Sequence, residues 1–443
     1  MHKALSGSGG GRSLIVRRRL MALFSAVVAA VPLAVAPATS ASAATTACRP
    51  GPGSPVCQVW TGRVAWVADG DTLLVDVNGD GTSTPRSVRM IGVQAMEQSV
   101  YSPVPARRRG ECHSLAATAR VEQLVKAGGG VVRLTAQHAS SLSRGRLLRS
   151  MAVKINGVWQ DIGADLIRRG HALALSFGDE WAWDASYRLA QARAAQDRRN
   201  LFDDDVCGTG PYQGTGLSVW VNSDADGGDD TNLNGEWIRV ANASGAAVAV
   251  GGWWVRDSGL RRYTFPAGTV VPAHGAVYVH VGRGTATATH KFWGLPTPIF
   301  ENATGSPQAL GDGGYLFDPR GDLRAWTQYP CILNCRNPLA GKVEVRVRYH
   351  NPEEIEVVNT GAAAIDLVGH VLVSHPHIYP ITESTIVQPG QALRLRTGVG
   401  VSSGLLRYWG KAGTVLNDSG DAVSLRTGDE TRVACVVWGN GHC

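Results

Sequence analysis

A chain of 443 residues is longer than one hydrophobic core can organise, so its length excludes a single domain and predicts two to four. The net charge of +7 does not indicate a uniformly basic protein, because residues 1–43 hold five of the cations and no acid. Residues 61–202 carry 19 Lys and Arg against 13 Asp and Glu, whereas the chain from residue 203 onward carries 18 against 23. The basic excess therefore lies in one segment, as binding of a polyanion would require.

We interpret residues 1–43 as a secretory signal peptide. Three arginines at 17–19 precede an apolar run over residues 20–37, and the small residues 41–43 are typical of a cleavage site. The paired arginines also fit a twin-arginine export route. The apolar run is short for a spanning helix and is interrupted by proline, so a retained membrane anchor is the less favoured alternative. The sequence predicts a secreted, extracellular protein without membrane contact after cleavage.

Residues 44–207 alternate between strand and helix patterns. Residues 44–60 are rich in Pro, Gly, Ala and Thr and predict a lead-in segment. Period-two alternation predicts strands, and apolar residues at helical spacing followed by glycine predict helices. The strands are 64–77, 87–93, 131–136 and 151–155, and the helices are 112–126, 162–169 and 183–200. This mixed order predicts an α+β domain over residues 61–207, with helices packed on a small β-barrel.

The chain after Cys207 has no helical pattern and contains an internal repeat. Residues 208–235 predict a loop that leads into a sheet, and residues 236–242 are echoed by residues 353–359. Each of these two segments ends in an asparagine, and a glycine follows each asparagine ten residues later. Short alternating strands and turns in both copies predict two all-β, immunoglobulin-like sandwiches, residues 208–331 and residues 341–443.

Eight cysteines in a secreted chain predict four disulfide bonds. Eight cysteines allow 105 pairings, so the sequence does not determine the connectivity. No two cysteines have the two-residue spacing of a zinc knuckle, which disfavours a zinc site. Proximity along the chain suggests three pairs and leaves a fourth, giving Cys48–Cys57, Cys331–Cys335, Cys435–Cys443 and Cys112–Cys207.

Three short motifs within residues 61–207 supply the groups that phosphodiester hydrolysis needs. Asp69-Gly70-Asp71-Thr72 is an acidic turn in a strand region. Arg89 lies near the start of a strand, Glu97 follows eight residues later, and Arg146 follows a later strand. Hydrolysis of an anionic diester needs a carboxylate for a hard cation, a base for water, and guanidinium groups for the phosphate oxygens. Asp-Gly alone is a common hairpin signal, so the argument depends on the whole set.

These motifs, in this order and with a glycine-terminated helix before the last, resemble the staphylococcal nuclease-like (thermonuclease) family over about residues 61–207. The resemblance implies an OB-fold-type barrel with helices and a metal-dependent endonuclease that cleaves DNA, RNA or both. It implies Ca²⁺ as the cofactor, with another divalent ion as the alternative, and we expect a monomer. It also implies a role for each residue. Asp71 is expected to bind the metal directly, and Asp69 is expected to lie in the second coordination shell. Glu97 is expected to be the base that orients the water, and Arg89 and Arg146 are expected to bind the phosphate.

One position departs from the family pattern. The family has a metal-binding aspartate five residues after the first arginine, and this chain has Gln94 there. A glutamine carbonyl binds Ca²⁺ but adds no charge, so we expect weaker metal binding or a changed metal preference. The family's nucleotide-stacking tyrosines are also unmatched, because Ser143-Arg144 occupies one place and Phe177 is the aromatic residue near the other. Two functions remain: a working endonuclease, and a non-catalytic protein that binds nucleic acid or a surface with the same fold.

Three further patterns have simpler explanations. Residues 76–82 match the start of an EF-hand loop, but Ser87 stands where an acid is expected. Turn chemistry explains this loop, so we favour a plain hairpin and keep an accessory Ca²⁺ loop as the alternative. Residues 400–404 match a nucleophile elbow, which requires a following helix that an all-β region lacks. For His370, His375 and His377, we favour a solvated loop over a metal site.

The two repeats resemble lamin-tail domains, which are small immunoglobulin-like sandwiches. The resemblance rests on residues 234–238, Asn242, Gly252-Trp253 and a Pro/Gly turn before a valine-rich strand, and it is closer in the first copy than in the second. Neither copy contains a convincing catalytic motif, so we expect modules that bind a cell-surface or polymer ligand or that stabilise the protein. Tryptophans in sandwiches pack in the core by default, which we expect for Trp293, Trp326 and Trp409 over ligand binding.

Overall fold

The computed structural model describes residues 44–98, 110–204, 207, 215–259 and 261–443. The predicted signal peptide, residues 1–43, lies outside the described residues. Within the described part of the chain, no helix has the length and apolar character needed to cross a membrane.

The described residues between 44 and 204 form a β-barrel with three α-helices. The strands are β1 (Ala44–Ala47), β2 (Val56–Val67), β3 (Thr72–Val77), β4 (Arg86–Met90), β5 (Val93–Ala95), β6 (Val131–Ala136), β7 (Leu142–Ser143), β8 (Arg146–Ile155), β9 (Val158–Asp161) and β10 (Ala172–Ala174). The helices are α1 (Ser114–Ala127), α2 (Ile162–Arg168) and α3 (Asp184–Gln196), with 3₁₀ helices at Gly178–Trp183 and Asn200–Phe202.

Five strands close the barrel in the order β2-β3-β4-β8-β6, because β6 also pairs with β2. All these neighbours are antiparallel except β4 and β8, which are parallel. Strand β5 pairs with β10 in a separate two-stranded ribbon. The core of the barrel is apolar, and α1 contributes Ala117, Val121 and Leu124 to it from one face of the helix. Because side chains fill the interior of a small closed barrel, a site forms at one end of it, from loops and strand ends.

Three features of the barrel differ from the sequence prediction. The predicted strand over residues 87–93 is two strands, β4 and β5, which lie in different sheets. The predicted strand over residues 64–77 is two strands, because Asp69 and its neighbours make a turn in which Ala68 N donates to Thr72 O at 3.0 Å. Residues 44–60, predicted to be a lead-in, contain β1 and the start of β2, which pair with each other and are bridged by Cys48–Cys57. The Pro/Gly turn between the two strands hides their alternation in the sequence.

The second half of the chain contains two sandwiches. The first has β11 (Leu217–Asn222), β12 (Trp237–Asn242), β13 (Val248–Ala249), β14 (Trp254–Arg256), β15 (Arg262–Thr264), β16 (Val270–Val271), β17 (Ala276–His280), β18 (His290–Phe292), β19 (Gly313–Phe317) and β20 (Leu323–Gln328). The second has β21 (Val343–Arg348), β22 (Glu354–Asn359), β23 (Ile365–Asp366), β24 (His370–Ser374), β25 (His377–Ile381), β26 (Ile386–Val387), β27 (Ala392–Arg396), β28 (Leu406–Tyr408), β29 (Gly420–Thr427) and β30 (Arg432–Gly439).

The two sandwiches have the same topology, strand for strand. The order β11-β12-β17-β18 in one sheet of the first corresponds to β21-β22-β27-β28 in the second. The order β15-β14-β19-β20 corresponds in the same way to β25-β24-β29-β30. The asparagine that ends each repeated segment has one structural role: Asn242 Nδ2 donates to Ala246 O at 2.7 Å, and Asn359 Nδ2 donates to Ala363 O at 2.8 Å. The sequence repeat is therefore a repeat of structure.

The first sandwich packs against the barrel domain through its β14–β15 sheet. The described residues from Ala44 to Cys443 form one compact unit. Arg188 of α3 donates to the carbonyls of Gly311 and Tyr329, both at 2.7 Å, and Gln191 donates to the Tyr315 hydroxyl at 2.7 Å. An apolar cluster crosses the boundary, and its buried members are Met96, Leu173, Ala194, Leu201, Phe202, Trp254, Tyr315, Phe317 and Leu323.

Candidate active site

The barrel brings the six predicted site residues together at one end. Asp69 and Asp71 lie in the turn before β3, whose first residue, Thr72, is opposite Arg89 of β4. Gln94 lies on β5, Glu97 follows that strand by two residues, and Arg146 is the first residue of β8. These residues span 78 positions of the chain, and the closure of the sheet is what makes them neighbours.

A buried ion pair forms the centre of this site. Asp71 Oδ1 lies 2.9 Å from Arg89 Nη1 and accepts a hydrogen bond from the Thr72 hydroxyl at 3.0 Å. Asp71 Oδ2 accepts from the Ala95 amide at 2.9 Å. Arg89 is only 2% exposed, so removal of either partner would leave a buried charge without compensation.

Gln94 connects this ion pair to Glu97. Its Oε1 accepts from Arg89 Nη2 at 2.7 Å, and its Nε2 donates to Ala95 O at 2.9 Å and reaches Glu97 Oε1 at 3.5 Å. The side chain is fully buried. A glutamine can accept from an arginine and donate to a carboxylate at once, whereas an aspartate can only accept. The residue that departs from the family pattern therefore lies at the centre of the site.

Arg146 is presented at the edge of the site by a tight turn. Arg144 and Gly145, with φ of 50° and 79°, connect β7 to β8 with Ser143 paired to Arg146. Two consecutive residues with positive φ are typical of a two-residue hairpin turn, for which glycine is favoured. Arg146 donates to the Thr72 hydroxyl at 3.2 Å and to Ser143 O at 3.4 Å. Both partners are uncharged and the residue is half-buried, so its guanidinium charge remains uncompensated by these bonds.

Three carboxyl groups crowd the inner part of this site, those of Asp69, Asp71 and Glu97. Burial, followed by the charge of Asp71, raises the pKa of Asp69 to about 7. Burial and the charges of Asp71 and Glu111 raise the pKa of Glu97, although the residue reaches solvent at the rim, and Arg89 opposes this rise. A carboxylate with a raised pKa is a stronger base, which suits removal of a proton from water.

The donor chemistry of the site fits a hard divalent cation. Asp71, Gln94, Asp69 and Glu97 offer carboxylate and carboxamide oxygens, which Ca²⁺ prefers. The crowding of Asp69, Asp71 and Glu97 is a second argument, because a divalent cation would stabilise the ionised carboxylates. Among the described residues, Asp69, Asp71 and Glu97 do not form a cluster with ligand atoms close enough to hold a metal ion, so this donor set is looser than a formed metal cage.

The structure also places the three patterns for which the sequence favoured simpler explanations. Residues 76 and 77 are the end of β3, residues 78–82 are exposed and lead towards β4, and Asp80 Oδ1 accepts from Thr82 N at 3.0 Å. Residues 400–404 lie between β27 and β28, and no helix follows them in the described residues 405–443. The solvated-loop prediction is wrong for two of the histidines, because His370 begins β24 and His377 begins β25. His370 is buried with its Nδ1 3.1 Å from Leu367 O, and His377 Nδ1 lies 3.3 Å from an Asp226 oxygen.

The three tryptophans that were candidates for ligand binding are packed. Trp293 lies against the core of the first sandwich, and Trp326 contacts the Phe202 ring with centroids 5.2 Å apart. Trp409 Nε1 donates to an Asp226 carboxylate at 3.2 Å. Core and interface packing, the default expectation, describes all three.

The four predicted disulfides are confirmed. The bonded pairs are Cys48–Cys57, Cys112–Cys207, Cys331–Cys335 and Cys435–Cys443. Asp322 lies beside the sulfurs of Cys112 and Cys207, a donor triplet that resembles a metal site. Because those sulfurs are bonded to each other, they are not thiolate ligands. Four bridges indicate an oxidising environment.

Sequence reasoning missed three charged residues at the rim of the site. Glu111 accepts a hydrogen bond from the backbone of Glu97, and Arg262 and Arg256 approach from the first sandwich. No local pattern marks these residues, because the arginines lie more than 140 positions from Glu97 and become neighbours only when the domains pack.

Comparison with known families concerns the second half of the chain. Residues 219–331 and residues 337–440 each match the Lamin Tail Domain family model. The matched segments coincide with the two sandwiches. No curated protein matches the chain. Residues 219–331 and 337–440 of this chain are thus two lamin tail domains.

Proposed function

We propose that this protein is a secreted, metal-dependent endonuclease that hydrolyses phosphodiester bonds of DNA, RNA or both. The observation that carries the proposal is the convergence of Asp71, Arg89, Gln94, Glu97 and Arg146 at one end of a closed barrel. The closed five-stranded barrel is compatible with the OB-fold that the nuclease resemblance implies. The four disulfides and the signal-like residues 1–43 support secretion.

The residues of the site have complementary roles in this proposal. Glu97, which reaches solvent and has a raised pKa, accepts the proton of the attacking water. Arg146, whose partners are neutral, binds the phosphate oxygens and stabilises the charge that develops on them. Arg89 holds Asp71 and Gln94 in place by donating to both.

Asp71 and Gln94 would hold the divalent cation, with Asp69 behind them. The cation, when bound, neutralises phosphate charge and lowers the pKa of water. Within the chain itself, Gln94 connects the ligand group to the base, since it bonds both Arg89 and Glu97. The basic excess of residues 61–202 favours approach of a polyanion.

The second candidate is a protein that binds nucleic acid or a surface without cleaving it. Two observations favour it: Gln94 adds no charge to the metal site, and the Arg89 guanidinium is occupied by Asp71 and Gln94. In that case, the barrel domain would retain the fold while the lamin tail domains contact a surface or polymer ligand.

Cleavage assays separate the two candidates. The purified mature protein is incubated with DNA and with RNA, with Ca²⁺ and with a chelator. Cleavage that the chelator abolishes supports the endonuclease, and binding without cleavage supports the second candidate. Glu97→Gln keeps the size of the side chain without the base, and Arg146→Met keeps the stem without the charge. Each should lower turnover by roughly 10²-fold or more. Wild-type turnover in both variants would contradict the assignment.

A further inference from the structure

The backbone of Glu97 is tied to Glu111. Glu97 N donates to Glu111 Oε2 at 2.8 Å, and Glu111 N donates to Glu97 O at 3.0 Å. These reciprocal bonds join the segment after β5 to the segment before α1. The position of the Glu97 carboxylate therefore depends on what holds Glu111.

The first sandwich holds Glu111. Its other oxygen, Oε1, lies 3.3 Å from Arg262 Nη1, and the next residue, Cys112, donates its amide to Arg320 O at 3.1 Å. Gly321 approaches so closely that a Cβ built there would lie 2.8 Å from Glu111 Cβ. A side chain at this glycine would push the two domains apart, so the contact requires glycine.

The same sandwich also buries the residue before Glu97. Met96 is 1% exposed and lies in the apolar cluster with Trp254 and Phe317, whose rings are stacked 4.2 Å apart. Trp254 further contacts Arg262, whose guanidinium carbon lies 4.5 Å from the ring centroid. Trp254 therefore has two contacts. It packs in the cluster that buries Met96, and its ring supports Arg262, which binds Glu111.

A second arginine faces the same acids. Arg256 is the cross-strand partner of Arg262, is buried, and donates to the carbonyls of Asp257 and Ser258 in its own loop. Burial lowers the pKa of Arg256, and the nearby negative charges of Asp257, Glu111 and Glu97 oppose this. A positive face of the sandwich therefore meets the acidic rim of the site.

The first sandwich has the Arg256–Arg262 pair, and the second sandwich has no arginines at the corresponding positions. The two arginines occupy neighbouring positions on β14 and β15, and the corresponding cross-strand pair on β24 and β25 is Val373 and Ile378. Those apolar residues pack against Trp220 and Trp237 of the first sandwich. The shared fold therefore does not require arginines here.

We propose that the first sandwich is part of the catalytic unit, with Arg262 as a positioning residue that orients Glu97 through Glu111. This inference rests on the proposed endonuclease function for its effect on turnover. Its structural part, the support of the Glu97 backbone, is independent of activity.

The test uses three variants of the full mature chain. Arg262→Met keeps a stem that packs on Trp254 but removes the charge, and Arg262→Lys restores a charge. Arg261→Met is the matched control, because Arg261 is an exposed neighbour whose ion-pair partner is Asp257. Two quantities are measured: kcat and KM for DNA cleavage, and hydrogen exchange of the Glu97 amide.

Arg262→Met should lower kcat by about 5- to 50-fold with KM within about twofold, because a small displacement of a catalytic group is costly. The Glu97 amide should exchange faster in this variant, Arg262→Lys should recover part of both effects, and Arg261→Met should match wild type. Unchanged exchange in Arg262→Met overturns the positioning role, whatever the activity. If wild type cleaves nothing, the proposed function fails while the exchange measurement still decides the support of Glu97. Faster exchange with unchanged kcat in Arg262→Met overturns the catalytic part of the inference.

Discussion

Replacing Gln94 by aspartate should strengthen Ca²⁺ binding. The Gln94 side chain is buried beside Asp71 and Arg89, so a carboxylate there would lie among the oxygen donors that fit a hard cation. Affinity for hard cations rises with the number of anionic ligands. Gln94→Asp should therefore bind Ca²⁺ more tightly and cleave faster when Ca²⁺ is limiting.

The magnitude follows from competing charge terms. Two unit charges about 4 Å apart interact by about 4 kcal/mol at an effective dielectric constant of about 20, and a divalent ion doubles this. Two effects offset most of this gain in Ca²⁺ binding. Ca²⁺ takes the added carboxylate away from its pairing with Arg89, and without Ca²⁺ that carboxylate is partly protonated beside Asp71 and Asp69. We expect a net change of about 1.4–2.8 kcal/mol, which is a 10- to 100-fold lower Kd.

Calorimetric titration of the mature protein with Ca²⁺ measures this difference. Gln94→Asn is the matched control, because asparagine and aspartate have the same size and differ in charge. Both variants have a shorter side chain than Gln94, and neither keeps the contact of Nε2 with Glu97 Oε1. The difference in Ca²⁺ affinity between them therefore measures the effect of the carboxylate charge. Equal Ca²⁺ affinity in Gln94→Asp and Gln94→Asn would refute the placement of residue 94 at the metal. Tighter Mg²⁺ or Mn²⁺ binding, with no change for Ca²⁺, would instead identify another metal.

Three further outcomes are expected. Arg89→Met should lower the free energy of unfolding by about 3–5 kcal/mol, because it leaves Asp71 buried without its partner, whereas Glu97→Gln at the rim should leave the denaturant midpoint almost unchanged. Reduction of the disulfides should lower Tm. The bridge between Cys112 and Cys207, 95 positions apart, contributes up to about 4–5 kcal/mol to the free energy of unfolding in the chain-entropy model. Two or more free thiols in the secreted protein would contradict four bridges. Burial raises the pKa of Glu236 to about 8, so its stabilising contribution is present below the unfolded pKa and is lost as pH rises through 8. Thermal melting from pH 5 to pH 8.5 should show this fall, Glu236→Gln should reduce it, and equal slopes in both proteins would contradict the assignment.

Several elements were predictable because their signals are local. The turn at Asp69-Gly70-Asp71, the strand Val131–Ala136 and the two β-repeats each follow from neighbouring residues, and the structure contains all of them. Three disulfide pairs followed from proximity and the fourth from the remaining cysteines. The candidate site residues could also be proposed from the sequence, because a motif order that resembles the nuclease-like family connects positions that the barrel brings together.

Tertiary packing decided the roles of the residues at the boundary between domains. The sequence predicts that Gln94 is a weakened metal ligand, whereas its bonds to Arg89 and towards Glu97 depend on the approach of β5 to β4. The contact of Arg262 with Glu111 depends on a domain interface, for which the sequence contains no periodic pattern.

The two sandwiches illustrate the same distinction. Their shared turns and strands predict one fold, yet the sheet that carries Trp237 and Tyr278 in the first carries Glu354 and Arg394 at the corresponding positions of the second. In the first sandwich, this sheet packs against the second through Trp220 and Trp237; in the second, it bears a ladder of ion pairs. Local sequence determined that both copies fold as sandwiches, because alternation and turns act over a few residues. Only the packed structure decided which face meets a neighbour, because that depends on apolar surface contributed by distant parts of the chain.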